Sequence, residues 1–232
     1  MILWSFDDII NTAVTPAEVL PDIFTYEARM GRLFEPLRCL RISFACSKPE
    51  NDNLDEMGLG TMLLQQGSLL RDGALLRLLA KATQLRVLDL SFLQGITTPG
   101  AITSHDLKLK YVLGELTFSH LEELHLSNCM TSEHWLTVFL VRHATTLQGL
   151  SIANMQLKHG TWKTFFVRIA GKLPALKTVK LRGKLESHRA KDEFTFSVPG
   201  FGHEDMSCPQ RDAVEQYVLN GGEWPDLDCL PL

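Results

Sequence analysis

The chain contains few residues whose types and spacing could support catalysis. Glu123 and His125 stand two residues apart, so on one strand they would share a face and could act as a general acid–base pair. His120 and His125 are five residues apart, but they lack a cysteine or carboxylate at the spacing of a metal site. A solvated surface is the more ordinary setting for such residues, so the histidines give no positive sign of an enzyme.

The glycines and serines form no catalytic motif either. Gly95 and Gly100, like Gly221 and Gly222, are not followed by the glycine-rich or lysine-containing patterns that bind phosphate. No serine stands in a nucleophile elbow. We therefore expect a protein that is not an enzyme and that uses no cofactor and no metal.

The cysteines indicate a reducing compartment. They occupy positions 39, 46, 129, 208 and 229, an odd number with no Cys-x-x-Cys pair. This usage favours free thiols over a disulfide framework, and Cys129 is expected to be a buried structural residue.

The first residues have no basic region typical of a signal peptide, and no apolar run approaches the roughly 20 residues that span a bilayer. We expect a cytoplasmic or nuclear protein that does not bind membranes.

Composition is that of a folded protein without a nucleic-acid footprint. The 232 residues are 45% hydrophobic and 22% charged, with a formal net charge of −4. The longest positive cluster covers only residues 177–184. We therefore expect no binding to nucleic acid.

A repeated phrase, Leu-x-x-Leu-x-Leu, is the strongest structural signal in the chain. It begins at Leu85 and Leu121, and it returns with one conservative change each at Leu147 and Leu176 and more faintly at Leu37. The intervals from 121 to 147 and from 147 to 176 are 26 and 29 residues, as in leucine-rich repeats. Alternation inside each phrase predicts a strand with inward leucines, and helical periodicity follows each strand. The sequence therefore predicts an α/β leucine-rich-repeat solenoid, with parallel strands on the concave face, helices on the convex face and helical caps.

The pattern divides the chain into an N-terminal helical cap, a repeat array and an irregular C-terminal cap. These parts cover residues 1–36, 37–183 and 184–232 respectively. The first is predicted to contain one helix from Pro16 to Phe34. The last is predicted to contain a strand near Phe194 and a helix over 210–219, since terminal repeats must cover the last apolar face.

Two tryptophans are expected to lie in the core. Trp135 and Trp162 are 27 residues apart, and each stands in the helical stretch that follows a predicted strand. We expect them at comparable helical positions on the convex side. There they would fill the core and would not serve as exposed binding anchors.

The repeat at 121 carries a further detail, a cysteine three residues after its last leucine (Leu121-x-x-Leu124-x-Leu126-x-x-Cys129). This resembles the cysteine-containing leucine-rich repeat of F-box proteins. The equivalent positions are Leu93, Met155 and Lys184, of which Lys184 departs from the pattern and suggests that the array closes there. The chain is similar over residues 30–225 to fungal F-box and leucine-rich-repeat proteins, also through Trp135-Leu-x-x-Phe139-Leu-x-x-His143, Gly160-x-Trp162 and the segment from Ala213 to Pro225.

The resemblance implies the substrate-recognition part of an F-box-type ubiquitin-ligase adaptor. An F-box is a helical segment that docks on a Skp1-type adaptor, and the strand predicted from Leu37 leaves no room for one within residues 1–36. We therefore expect that this chain does not bind a Skp1-type adaptor. The alternative is a leucine-rich-repeat scaffold with no role in a ubiquitin ligase.

The outward strand positions are the candidate binding residues, since solenoids bind partners through their concave face. They are Arg41, Asp89, Glu123, His125, Ser151, Lys180 and Arg182. Their charge changes from acidic in the middle of the array to basic at its C-terminal end, which would select among partners. A simpler interpretation is that these residues only keep a strand face hydrated. We expect a monomer that binds a protein partner of unknown identity.

Overall fold

The computed structural model describes residues 3–5, 31–44, 73–92, 108–187, 193–195 and 209–229. Within these residues the protein is α/β, with parallel strands in sheets and helices between them. The chain divides into two compact units, Met1–His120 and Leu121–Leu232. The predicted α/β class and parallel strands are therefore confirmed.

Within the described residues, the first unit contains three parallel strands, two short helices and a helical stretch at residues 31–34. The strands are β1 (Leu3–Ser5), β2 (Cys39–Phe44) and β3 (Val87–Phe92), and β2 pairs with both of the others. Leu40 lies beside Leu88 and Ile42 beside Leu90, and all four side chains are at most 5% exposed. The helices α1 (Ala74–Leu79) and α2 (Leu109–Leu113) pack against each other.

Strand β1 departs from the prediction of a helical cap over residues 1–36. Its Trp4 lies beside Ile42 of β2 in parallel register. Residues 31–34 are helical, as expected at the end of the helix predicted from Pro16 to Phe34, while 16–30 lie outside the described residues. A strand of three residues is too short for alternation to predict, so the pattern carried no signal for it.

The described part of the second unit contains two sheets and three helices. The main sheet has the order β4 (Glu123–Ser127), β6 (Gly149–Ala153), β8 (Thr178–Arg182), all parallel. The second sheet has the order β10 (Glu193–Thr195), β9 (Lys184–Ser187), β7 (Gln156–Leu157), β5 (Met130–Thr131), with β10 antiparallel to β9. The helices are α3 (Glu133–Arg142), α4 (Trp162–Ile169) and α5 (Pro209–Asn220), and a 3-10 turn spans Leu227–Cys229.

Alternation along the main strands builds the core of the second unit. The inward side chains of β4, β6 and β8 are at most 5% exposed; they are Leu124, Leu126, Leu150, Ile152, Val179 and Leu181. Leu124, Leu150 and Val179 lie side by side in the register, and the other three form the next level. Each such side chain stabilises the fold by roughly 1.5–3 kcal/mol on burial. The predicted inward leucines of these phrases are therefore confirmed.

A residue in the left-handed region ends each strand of the main sheet. It is Asn128 (φ 55°) after β4, Asn154 (φ 49°) after β6 and Gly183 (φ 63°) after β8. Asparagine and glycine adopt this conformation at the lowest steric cost. Glycine is required at 183 for a second reason, because a Cβ there would overlap the side-chain oxygen of Asn154. That oxygen accepts a 3.0 Å hydrogen bond from the backbone N–H of Lys184.

The alignment of Lys184 with Cys129 and Met155 is wrong by one residue. Gln156 lies beside Glu186 in the register, an interval of 30 residues, whereas Ala153 and Arg182 are 29 residues apart. Lys184 is the extra residue. The buried position of Cys129 and Met155 is filled by Leu185, which is 0% exposed. The apolar pattern therefore continues past the point where the sequence predicts that it closes.

The two tryptophans are not equivalent. Ser132 caps α3, since its side chain accepts a 3.3 Å hydrogen bond from the Trp135 N–H, and Thr161 caps α4 through a reciprocal pair of bonds with Thr164. Counted from these caps, Trp135 is the third helical residue and Trp162 the first. Trp162 is fully buried and its Nε1 donates to the Glu186 carbonyl at 3.0 Å, whereas Trp135 is only half-buried. The predicted burial is confirmed for Trp162 alone.

A buried carboxylate joins α3 to the start of α4. Glu133 Oε2 accepts hydrogen bonds from the backbone N–H of Thr161 at 3.1 Å and from the hydroxyl of Thr164 at 2.6 Å. Its Oε1 lies 2.9 Å from Arg168 Nε. Gly160 (φ 87°) makes room for this carboxylate, because a Cβ at that position would overlap it. The negative charge also lies at the positive end of the α4 dipole.

Helix α5 covers the edge of the main sheet. The sequence predicts a helix over 210–219, and α5 spans Pro209–Asn220 and contacts β8. The Glu215 carboxylate accepts a 2.7 Å hydrogen bond from the N–H of Leu181, a donor on the last strand of that sheet. Burial raises the pKa of Glu215, while this hydrogen bond and the nearby Arg211 and Arg182 oppose the shift. An edge strand that is capped in this way cannot pair through Leu181 with another chain.

Replacing Glu215 tests this edge contact. Glu215→Ala leaves the Leu181 N–H without its acceptor and is expected to lower the free energy of unfolding by about 1–3 kcal/mol. Glu215→Gln retains an acceptor oxygen. Because the folded-state pKa of Glu215 is raised, ionisation opposes folding, so removing the charge is expected to cost less than Glu215→Ala at pH 7. Urea denaturation of both variants measures this, and equal losses would contradict a role for the hydrogen bond.

Candidate protein-binding face

The predicted site residues of the second unit lie on one exposed face of the main sheet. His125, Ser151 and Lys180 form one row across β4, β6 and β8. Arg182 belongs to the next row along the strands, together with two small residues, and Glu123 belongs to the row before. The alignment of the repeated phrases therefore gave the correct register of these strands. We call the outward side chains of β4, β6 and β8 the strand face.

Glu123 and His125 are paired on this face. His125 Nε2 lies 3.3 Å from Glu123 Oε2, and the two side chains are 34% and 53% exposed. An acid–base pair in a catalytic site is normally shielded from water, which strengthens its electrostatic interactions. Water therefore screens the interaction between these two side chains.

The outward positions of the central strand β6 are all small. Gly149 is buried although it faces outward, because the place for its Cβ lies 3.3 Å from Thr178 Oγ1 and 3.4 Å from Glu123 Cγ. The next two outward residues, Ser151 and Ala153, are half-buried. The strand face is therefore low along β6, where Ser151 lies between His125 and Lys180, while Ala153 lies between the small Ser127 and the long Arg182. Sequence reasoning missed this shape, although the small residues alternate visibly with Leu150 and Ile152.

The β8 side of the strand face is basic. Lys180 and Arg182 are exposed, and Lys177, just before the strand, donates to Gln148 Oε1 at 2.8 Å. The Arg182 guanidinium interacts with the Glu215 carboxylate and opposes the rise in its pKa. The positive charge of Arg182 is therefore partly balanced within the protein. Lys180 has no salt bridge within the described part of the second unit. Lys180 therefore adds a positive charge to this face without an acidic partner among the described residues of this unit.

The two predicted residues of the first unit also lie side by side. Arg41 of β2 and Asp89 of β3 are register partners, and Arg41 Nε is 3.9 Å from Asp89 Oδ2. Their side chains are 49% and 35% exposed. An exposed ion pair of this kind contributes about 0.2–1 kcal/mol. It is a polar surface pair whose two charges largely satisfy each other.

Buried titratable groups of the second unit serve the core. Cys129 is 3% exposed, and its burial raises the pKa of the thiol far above the usual range. His143 is 1% exposed, its Nδ1 donates to the Phe139 carbonyl at 2.8 Å, and burial lowers its pKa. Both groups are therefore held neutral. The prediction that Cys129 is structural is confirmed as far as its burial is concerned.

Comparisons with protein-family models, with curated proteins and with solved structures found no match. Among the described residues no group of three or more His, Cys, Asp or Glu side chains could hold a metal ion. No helix in the described ranges is both long enough and apolar enough to cross a membrane.

Thiol labelling tests the assignment of Cys129. Cys229 is exposed, Cys39 is half-buried and Cys129 is buried, so iodoacetamide at pH 8 is expected to modify Cys229 first. Since only the thiolate reacts, Cys129 is expected to react at least about tenfold more slowly than Cys229 in the folded protein. In urea the two rates should converge. Peptide mass spectrometry measures both rates, and fast labelling of Cys129 in the native protein would contradict its burial.

Proposed function

We propose that this chain is a leucine-rich-repeat module that binds a protein partner through its strand face. In this proposal the parallel strands line the concave side of a solenoid and the helices its convex side. The repeated phrase supports it, as do the matching register of β4, β6 and β8 and the left-handed residue after each strand. These features recur at each of the three successive strands of the second unit, which is what a repeat architecture requires.

The observation that carries the binding role is the polar, uncovered strand face. The inward residues of these strands are buried, yet in the outward row His125 and Ser151 are half-buried and Lys180 is exposed. Charges of opposite sign stand on its two sides, Glu123 on one and Lys180 on the other. Such an arrangement steers a partner and fixes its orientation more than it adds affinity.

A role in ubiquitin ligation is the more specific form of the proposal. The resemblance of the repeats to those of fungal F-box and leucine-rich-repeat proteins supports substrate recognition within an F-box-type adaptor. The alternative is a scaffold without a ligase role. Leu3–Ser5 form a strand beside β2, so these three residues are not part of a helical F-box.

Reversing one charge tests the strand face. Lys180→Glu is expected to weaken capture of the physiological partner by about tenfold, because it places a like charge where the partner supplies an opposite one. Lys172→Glu is the matched control, since Lys172 is an exposed lysine in the turn after α4. Quantitative mass spectrometry of proteins retained from a lysate compares the two variants with wild type. If every retained protein is held equally by wild type and Lys180→Glu, the strand face is not the binding site.

Direct binding to a purified Skp1-type adaptor separates the two roles. This chain by itself is expected not to bind the adaptor, because residues 3–5 belong to a sheet. The measurement is size-exclusion chromatography with light scattering, which also reports whether the chain is the expected monomer. A stoichiometric complex would contradict the expectation and favour the ligase role.

A further inference from the structure

We propose that the partner presents an extended acidic segment, which lies over Ser151 and Ala153 of β6 with a carboxylate toward Lys180. This inference rests on the proposed function and adds the chemistry and direction of the ligand. It is carried by the shape of the strand face and by the uneven distribution of satisfied and unsatisfied charges on it.

The shape of the strand face favours a single extended chain. Neighbouring strands lie about 4.8 Å apart, so the side chains of β4 and β8 stand roughly 10 Å apart across β6. Between them, Ser151 and Ala153 raise no bulky side chain above the sheet. Toward the other end of β6 the space is closed, because Glu123 and Thr178 lie over Gly149. The open part of the face is thus a short shallow groove over Ser151 and Ala153.

The charged side chains on the two sides of the groove differ in whether they already interact with another charged residue. On the β4 side His125 already pairs with Glu123 at 3.3 Å. On the β8 side Lys180 has no salt bridge with a described residue of this unit, while Arg182 interacts with Glu215 of α5. The chain as a whole carries a net charge of −4, so this positive edge is a local feature. A carboxylate of the partner could form a charge-assisted hydrogen bond with the Lys180 ammonium group, which has no salt bridge with a described residue of this unit.

The acidic flank restricts the ligand further. A nucleic acid would need several phosphate contacts on both sides of the groove, and Glu123 would repel it. An extended peptide directs alternate side chains to opposite sides, so it can place its carboxylates on the Lys180 side and neutral residues near Glu123. The strand face therefore fits a protein segment better than a polyanion that is charged all round.

Peptide binding tests this inference. The probe is a fluorescein-labelled peptide of about nine residues with alternating glutamate and threonine, and the control peptide has lysine in place of glutamate. Fluorescence anisotropy at about 50 mM salt, where surface charges are little screened, measures the affinity for the full chain. Wild type is expected to bind the glutamate peptide at least about tenfold more tightly than the lysine peptide. Equal affinities for the two peptides would overturn the inference.

Two variants locate the site of binding. Lys180→Glu is expected to weaken the glutamate peptide by at least about tenfold, and Ser151→Phe to weaken it comparably by filling the groove without changing charge. An aromatic residue is compatible with a strand, and Ala153→Leu replaces this variant if circular dichroism shows that Ser151→Phe is unfolded. The matched controls are Lys172→Glu and Val167→Phe, the latter on an exposed valine of α4. An unchanged affinity in the folded groove variants would overturn the proposal.

The outcome can be separated from the fate of the proposed function. If partner capture depends on Lys180 but the glutamate peptide does not bind, the acidic segment is wrong and the strand face remains the binding site. If neither depends on Lys180, both proposals fail. Binding of the glutamate peptide that is lost in both Lys180→Glu and Ser151→Phe supports the inference.

Discussion

The second unit depends on one constraint, which is that apolar side chains of three parallel strands are buried in matching rows across the sheet. Leu124, Leu150 and Val179 occupy one level, and Leu126, Ile152 and Leu181 the next. Because side chains alternate along a strand, this burial forces the residues between them to the opposite side. A slip of one residue would expose every leucine, so the register is strongly specified. The strand face is thus a consequence of the core.

The turns maintain that constraint although the intervals between successive strands differ in length. A left-handed residue after each strand reverses the chain at the same place each time, and the extra residue, Lys184, is absorbed directly after Gly183. The helices start from comparable caps, and Glu133 connects α3 to the first turn of α4. Small differences in length are therefore confined to the turns, where they leave the levels of the core unchanged.

Contacts with neighbouring residues explain why the charges on the strand face are unevenly paired. At the end of the sheet α5 brings Glu215 to the N–H of Leu181, and this carboxylate also faces Arg182. On the first strand His125 is paired with Glu123. Lys180 stands between these two satisfied regions, next to the small side chains of β6. The contact of α5 with the sheet edge and the small side chains of β6 together leave Lys180 exposed beside an unfilled part of the strand face.

Much of this organisation could be predicted from the sequence, because it is written in local patterns. The phrase Leu-x-x-Leu-x-Leu carries the period of a strand, and aligning its copies gave the rows of outward residues, including His125, Ser151 and Lys180. The helix over 210–219 was predictable in the same way. These features depend on the two-residue period of strands and the 3.6-residue period of helices, which side-chain types reveal without any long-range information.

The tertiary structure decided what depends on contacts between distant residues. Spacing alone made Trp135 and Trp162 equivalent, but the caps at Ser132 and Thr161 place them two positions apart in their helices. The burial of Leu185 in place of Lys184, the pairing of β1 with β2, and the contact of Glu215 with Leu181 have no local signature either. Leu185 is buried because the core needs an apolar side chain at that position of the row. Glu215 contacts Leu181 because the backbone N–H of an edge strand needs an acceptor, and α5 brings this carboxylate near. The sequence determined which side chains face outward; only the packing of the turns and α5 decided which of their charges are paired within the protein.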